Sequence, residues 1–348
     1  MKLYQEKELF SQIINQISKE KGINEAIIEK DYFVSLILQE IAKENGNIVF
    51  KGGTSLSKCF GLINRFSEDI DLSCERKLSK GEIKNINHSI VRIVNELRFN
   101  LANEKDIKSG MDYNIFQIKY PSLYKSNGLK RNIVVETVFS INAFPIENKL
   151  VSNIIYDYLK NNNLLDKVPF DELKPFLIKT QSICRTFVDK LFALCDYYLN
   201  NDISEHSRHL YDIYKMFKYI EFNDEFKLYV KRVREIRKSK RFCTSADDQY
   251  DINLLLKEII QKDVYRKDYE SITKLITYDD VDYVDAMNVI KEIIKYDIFK
   301  ISEILKLSNS ILCSKVKLLH IYFYIARNSS INSFLTNKKL KYMTHNNF

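Results

Sequence analysis

At 348 residues, with 45% hydrophobic and 29% charged side chains, the chain has the apolar mass for a buried core and the length of two domains. This composition excludes a disordered chain, and only 8 glycines and 4 prolines exclude a loop-dominated one, so long helices are expected. A formal net charge of +8 favours an anionic partner without naming it.

The opening MKLYQEKELF mixes acids with lysines where an export signal needs an uninterrupted apolar run, so no export is expected. Leu9, Phe10, Ile13, Ile14 and Ile17 then fall at helical spacing over residues 5 to 21. Asn24 caps a second predicted helix carrying Ile27, Ile28, Tyr32, Phe33, Leu36, Ile37 and Ile41, and both helices are expected to pack on a sheet that begins near Ile48. Six cysteines, at 59, 74, 184, 195, 243 and 313, contain no Cys-x-x-Cys pair. They read as reduced thiols of a cytoplasmic protein in preference to a disulfide framework or a zinc site.

The stretch from Val49 to Leu72, VFKGGTSLSKCFGLINRFSEDIDL, is where chemistry concentrates. Gly52 and Gly53 let the backbone approach a ligand closely, and with Thr54, Ser55 and the start of a helix they form a cradle suited to phosphate. Asp69 and Asp71, two apart on a strand, point the same way and can grip the same divalent metals. A phosphate cradle beside paired carboxylates is apparatus for nucleotidyl or phosphoryl transfer. The alternative is a helix start followed by an exposed acidic strand.

KGGTSLSK followed by RFSEDIDL resembles the nucleotidyltransferase superfamily, and within it the AbiEii/AbiGii toxin branch of abortive-infection and related toxin–antitoxin systems. The resemblance implies an α+β fold: a nucleotidyltransferase-type mixed sheet with flanking helices, then a mainly helical C-terminal part. Glu29-Lys30-Asp31-Tyr32 resembles a segment that precedes the glycine motif in this branch, and structural support is expected of it.

The charged stretch Glu75 to Glu82 reads as a loop and residues 83 to 101 as a helix. Two predicted strands follow, Tyr113 to Tyr120 and Asn132 to Ser140, joined by a polar turn from Lys125 to Lys130. Glu136 is the one charged residue in IVVETVF, so it must face a solvated or metal-filled cleft or pair with a nearby cation. The resemblance calls for a third carboxylate on a strand after Asp-x-Asp; Glu136 matches that place, although the family commonly has Asp there.

Beyond Pro145 the chain turns Asn-rich and is expected to be helical, which sets the predicted boundary: a catalytic core over 1–150 and a helical domain over 151–348. Ser182 to Asn200 forms a long helix with Lys190 on an apolar face, and Arg208 to Tyr214 opens another. These resemble the family's later motifs, which implies that Lys190 contacts the triphosphate and Asp212 completes the site. A Lys190–Asp212 ion pair that only ties the helices is the alternative, and the two are compatible. Arg208 reads as a phosphate contact. His206 and His209 share a helical face but have no third soft ligand for a metal.

From Lys231 to Arg241 the chain reads KRVREIRKSKR, seven basic residues and one acid, either a nucleic-acid contact or a solvated helix face. Helices are expected over 252–261, 282–296, 298–307 and 313–327. Leu318 to Ala326 is far shorter than the roughly 20 apolar residues that cross a bilayer, so no membrane partner is expected.

Together these readings give a nucleotidyltransferase with Mg2+ (or Mn2+) at Asp69, Asp71 and Glu136. A nucleoside triphosphate would sit on Gly52, Gly53, Thr54, Ser55, Lys190 and Arg208. By resemblance, the acceptor is the 3′ end of tRNA, and a cognate antitoxin is implied. Transfer to a protein or small molecule, or a non-catalytic binding role, are the alternatives.

Overall fold

Among the described residues seven strands form one mixed sheet, in the spatial order β3 (Asn100–Leu101), β4 (Tyr113–Lys119), β5 (Ile133–Asn142), β2 (Ile70–Cys74), β1 (Ile48–Lys51), β7 (Phe176–Gln181) and β6 (Ile146–Val151). The computed structural model describes residues 1–125 and 131–300. Met1–Asp297 form one compact unit. Residues 126–130 of the turn expected over 125–130, residues 301–307 of the helix expected over 298–307, the whole helix expected over 313–327, and Cys313 lie outside the described residues.

The N-terminal half follows the apolar periodicity. Helix α1 (Lys7–Lys21) buries Phe10, Ile13, Ile14 and Ile17 and ends on Gly22 at φ 68°, a left-handed cap that glycine adopts without a Cβ clash. Asn24 caps α2 (Glu25–Glu44) by accepting from the Ala26 amide. Each residue of Glu29 to Tyr32 ties α2 to another segment. Glu29 accepts from the Leu123 amide, Lys30 pairs with Glu68, Asp31 with Lys58, and Tyr32 bonds Glu172.

Strand β1 (Ile48–Lys51) leads directly into the short helix α3 (Gly52–Lys58), and β2 (Ile70–Cys74) returns antiparallel to β1. The loop expected over 75–82 is shorter, because Ser79 and Glu82 close a capping box that starts α4 at Lys80. That helix ends at Glu96, and Asn100–Leu101 is strand β3. Strands β4 (Tyr113–Lys119) and β5 (Ile133–Asn142) pair antiparallel, and β5 runs parallel to β2.

Residues beyond Pro145 are not simply helical. Ile146–Val151 forms the edge strand β6; helix α5 (Ile154–Asn161) follows, and Phe176–Gln181 forms β7, antiparallel to β6 and parallel to β1. The expected division near residue 150 therefore falls on a strand, and the sheet is completed by residues on its far side. The β6–β7 pair was hidden because the strands are short, of mixed polarity and separated by a helix.

The remaining helices among the described residues are α6 (Ile183–Leu199), α7 (Arg208–Phe217), α8 (Asp224–Lys238) and α9 (Ile252–Gln261), then the short α10 (Arg266–Asp268) and α11 (Lys274–Ile276) around a π turn, and α12 (Tyr283–Lys295). The five described cysteines are free. No helix among the described residues is long and apolar enough to cross a membrane.

Candidate active site

The sheet register gathers the carboxylates. Asp71 stands opposite Glu136 in the parallel β2–β5 pair and opposite Lys51 in the antiparallel β1–β2 pair. Residues in register share a face, and Asp69, two residues before Asp71, shares it too. All four line one cleft of about 320 Å³, walled by α6, the start of α7 and the Gly52-Gly53 turn.

Gly52 is required where it stands. It sits at φ 78°, and a Cβ there would collide with the Asp71 carboxylate. At Gly53 a Cβ would lie 2.5 Å from Arg65 Nη2. The two glycines therefore bring bare backbone against the acidic strand, and the first amides of α3 have no partner within their own helix. The expected phosphate role of the Thr54 and Ser55 side chains meets a different geometry. Both are buried, with Thr54 Oγ1 2.9 Å from Ser67 Oγ and Ser55 Oγ donating to the Gly52 carbonyl. Their hydroxyls brace the turn, while Gly52 and Gly53 line the cleft.

Lys190 and Arg208 enter from the helical wall, with His209 beside them. Lys190 Nζ lies 2.7 Å from Asp212 Oδ2 and 3.1 Å from His209 Nδ1. Asp212 is fully buried and stands behind Lys190, outside the cleft lining. Arg65 grips the same carboxylate through Nε and Nη2, at 2.7 Å each. Arg65 was legible only as part of the lead-in to Asp-x-Asp, because its partner is 147 residues away.

These contacts set the charge states. Burial pushes the Asp71 carboxyl above the usual range and Asp69 adds to this, while Lys51, Lys190 and Arg208 oppose it. Burial would raise Asp212 as well, but Arg65 and Lys190 outweigh it and hold Asp212 well below the ordinary carboxylate range. Burial pushes the Lys190 ammonium down, with Asp212 resisting and Arg65 and Arg208 reinforcing. His209 is held far below its usual value by burial and by the Lys190 and Arg208 charges, so its neutral ring accepts from Lys190. His206 stacks on Tyr197 with ring centroids 3.4 Å apart, and His209 lies parallel to both.

The donor chemistry fits a divalent cation: Asp69, Asp71 and Glu136 offer hard carboxylate oxygens on one face. Among the described residues no three His, Cys, Asp or Glu side chains form a ready-made metal cluster.

The basic run divides. Arg237 is buried and bonds Asp189 and Asp196, at 3.0 and 2.8 Å. Arg234 donates to the carbonyls of Ala246, Asp247 and Tyr250, and Lys238 pairs with Glu235 and Asp248. Arg232 stacks its guanidinium over Phe144. Lys231, Lys240 and Arg241 form no ion pair among the described residues.

A family model described as nucleotidyl transferase AbiEii toxin, of a type IV toxin–antitoxin system, matches residues 36–290. Among solved structures, the fold is similar to MenT4, nucleotidyltransferase toxin Rv2826c from Mycobacterium tuberculosis H37Rv. The TM-score is 0.53 at 16% identity, over 83% of this chain and 90% of that one. At this identity the likeness speaks for the fold alone. No curated protein matches the sequence.

Proposed function

The chain belongs to the AbiEii family of nucleotidyltransferase toxins, and from that premise we propose that it transfers a nucleoside monophosphate from a nucleoside triphosphate to the 3′ end of tRNA, which blocks translation. The family is one of toxin–antitoxin systems, so a cognate antitoxin goes with it. The cytoplasm holds both substrates and is where we place the reaction.

The observation that carries the reading is the Asp71–Glu136 register facing Lys190 across the cleft. Asp69, Asp71 and Glu136 would hold Mg2+ or Mn2+, which when bound supplies charge neutralisation at the phosphates. The Gly52 and Gly53 amides cradle the β- and γ-phosphates. Lys190 and Arg208 offset the negative charge that builds on the departing pyrophosphate. Asp212 stands outside the cleft lining and, shared with Arg65, fixes the Lys190 ammonium at the wall.

The acceptor hydroxyl attacks the α-phosphorus in line. A new P–O bond forms to the acceptor, the bond to the bridging oxygen breaks, and pyrophosphate leaves with that electron pair. Glu136, beside Asp71, takes the hydroxyl proton. Lys231, Lys240 and Arg241 offer charge for the body of the RNA.

Incubation with total tRNA, magnesium and each labelled nucleoside triphosphate in turn, with Asp71→Ala as control, tests the reading. Label in tRNA only with the intact protein names the donor. Nucleotide binding without label in tRNA moves the acceptor to a protein or small molecule.

A further inference from the structure

The cleft does not close on its Glu136 side. Strand register extends the carboxylate face outward: Ile115 stands opposite Glu136, Tyr113 opposite Val138 and Gln117 opposite Val134. The other face of the same strands, with Phe116, Ile118, Ile133 and Val135, is buried in the core. On the open face Tyr113 is 50% exposed, Gln117 and Lys119 are exposed, and Ile115 and Val134 are partly so. The result is a strip beginning at Glu136, with an aromatic ring near the carboxylates, an apolar bed beside it and a lysine at the end. Burial together with the charges of Glu136 and Asp71 pushes the Tyr113 phenol up, as expected of a ring within the field of both carboxylates.

An exposed tyrosine is ordinary by itself, but here it is aligned with the candidate carboxylates on a sheet face that no helix of the described residues covers. Single-stranded nucleic acid is bound by such surfaces, where bases stack on aromatic side chains of an open sheet and cations follow the backbone. The strip from Tyr113 to Lys119 is about 20 Å long at the usual strand rise. Lys119 and Arg131 form no ion pair among the described residues, so their charge is available to phosphates. A mononucleotide would need only the cleft; an exposed strip leading away from Glu136 suits the strand that carries the attacking hydroxyl.

We propose that the open face of β4 and β5 is the platform for the single-stranded 3′ end of the acceptor RNA, with Tyr113 stacking its terminal base beside Glu136. This rests on the reading of RNA as acceptor.

The test compares Tyr113→Ala, Tyr113→Phe and Lys119→Glu in the full chain. Affinity for a short single-stranded RNA is measured by fluorescence anisotropy, and nucleoside triphosphate affinity is measured without RNA. Tyr113→Ala is expected to weaken RNA binding by about 5- to 150-fold and to raise KM for RNA. Nucleotide affinity is expected to stay within about twofold. Tyr113→Phe retains the ring and the affinity, and Lys119→Glu weakens binding and flattens its salt dependence. Equal loss of nucleotide affinity in Tyr113→Ala would overturn the proposal by making Tyr113 a donor-base contact. Transfer to RNA with unchanged KM in Tyr113→Ala would overturn the platform and leave the RNA reading intact. If the wild-type protein neither binds nor labels RNA, both fall together.

Discussion

The Asp212 carboxylate carries two cations at once: Lys190 Nζ lies 2.7 Å from its Oδ2, and Arg65 clasps both of its oxygens. All three groups are almost wholly withdrawn from solvent. A buried ion pair contributes little net stability against apolar residues of the same size, but removing one partner strands the other charge. Asp212→Asn would strand two, so a loss of about 3–5 kcal/mol is expected in urea unfolding at pH 7. The sign with pH follows from a folded carboxyl held low. Asp212's contribution is fully present above its unfolded value of about 3.9 and is lost as the pH falls toward its depressed folded value. The gap between wild type and Asp212→Asn should therefore narrow on acidification.

Lys190→Met should separate fold from chemistry. It leaves Asp212 held by both arms of Arg65, so it should cost less stability than Asp212→Asn. Removing a positioned cation from the developing pyrophosphate should lower transfer by about 10²- to 10³-fold. Melting curves and single-turnover rates on the two variants check both halves.

Asp71→Asn should stabilise the metal-free protein at neutral pH. A folded carboxyl raised by burial contributes stability below the ordinary aspartate range, and that contribution is lost as the pH rises through its raised value. At pH 7 the ionised side chain is a net cost, which asparagine removes. The same change should abolish the stabilisation that magnesium and nucleotide together give the wild type, about 2.7 kcal/mol at a hundredfold excess over Kd. Thermal melts with and without both ligands report the two effects.

Gly52→Ala meets two obstacles, a left-handed backbone and the Asp71 carboxylate where its methyl would stand. A loss of about 1–3 kcal/mol is expected for the backbone alone. Displacement of Asp71 should also remove metal-dependent nucleotide binding, measured by calorimetry with magnesium and manganese.

Charge reversal along the basic run should give two different results. Arg237→Glu sets a carboxylate against Asp189 and Asp196 and should prevent folding. Lys240→Glu with Arg241→Glu should leave the melting temperature nearly unchanged, since surface substitutions stay within about 0.5 kcal/mol each, while weakening RNA binding. Circular dichroism and anisotropy separate the outcomes.

Which elements could be read in advance follows from how local their causes are. The α1 and α2 helices, the Asn24 cap and the β4 and β5 strands announce themselves through periodicity and capping within a few residues. Ser79 with Glu82 is equally local, and its capping box trims the expected loop. By contrast, β6 and β7 become strands through pairing with each other and with β1, and nothing in IENKLV or FLIKTQ alone demands it.

The candidate site divides in the same way. Gly52-Gly53 and Asp69-x-Asp71 carry their meaning in spacing, because backbone freedom and the two-residue period of a strand are properties of the chain itself. The register that sets Glu136 beside Asp71, the clasp of Arg65 on a carboxylate 147 residues away, and the inward turn of Arg237 depend on which segments meet. Sequence by itself determined which side chains could do the chemistry. Only the tertiary structure decided which of them face the cleft and which are spent holding it, since burial is what forces a charge to find its partner.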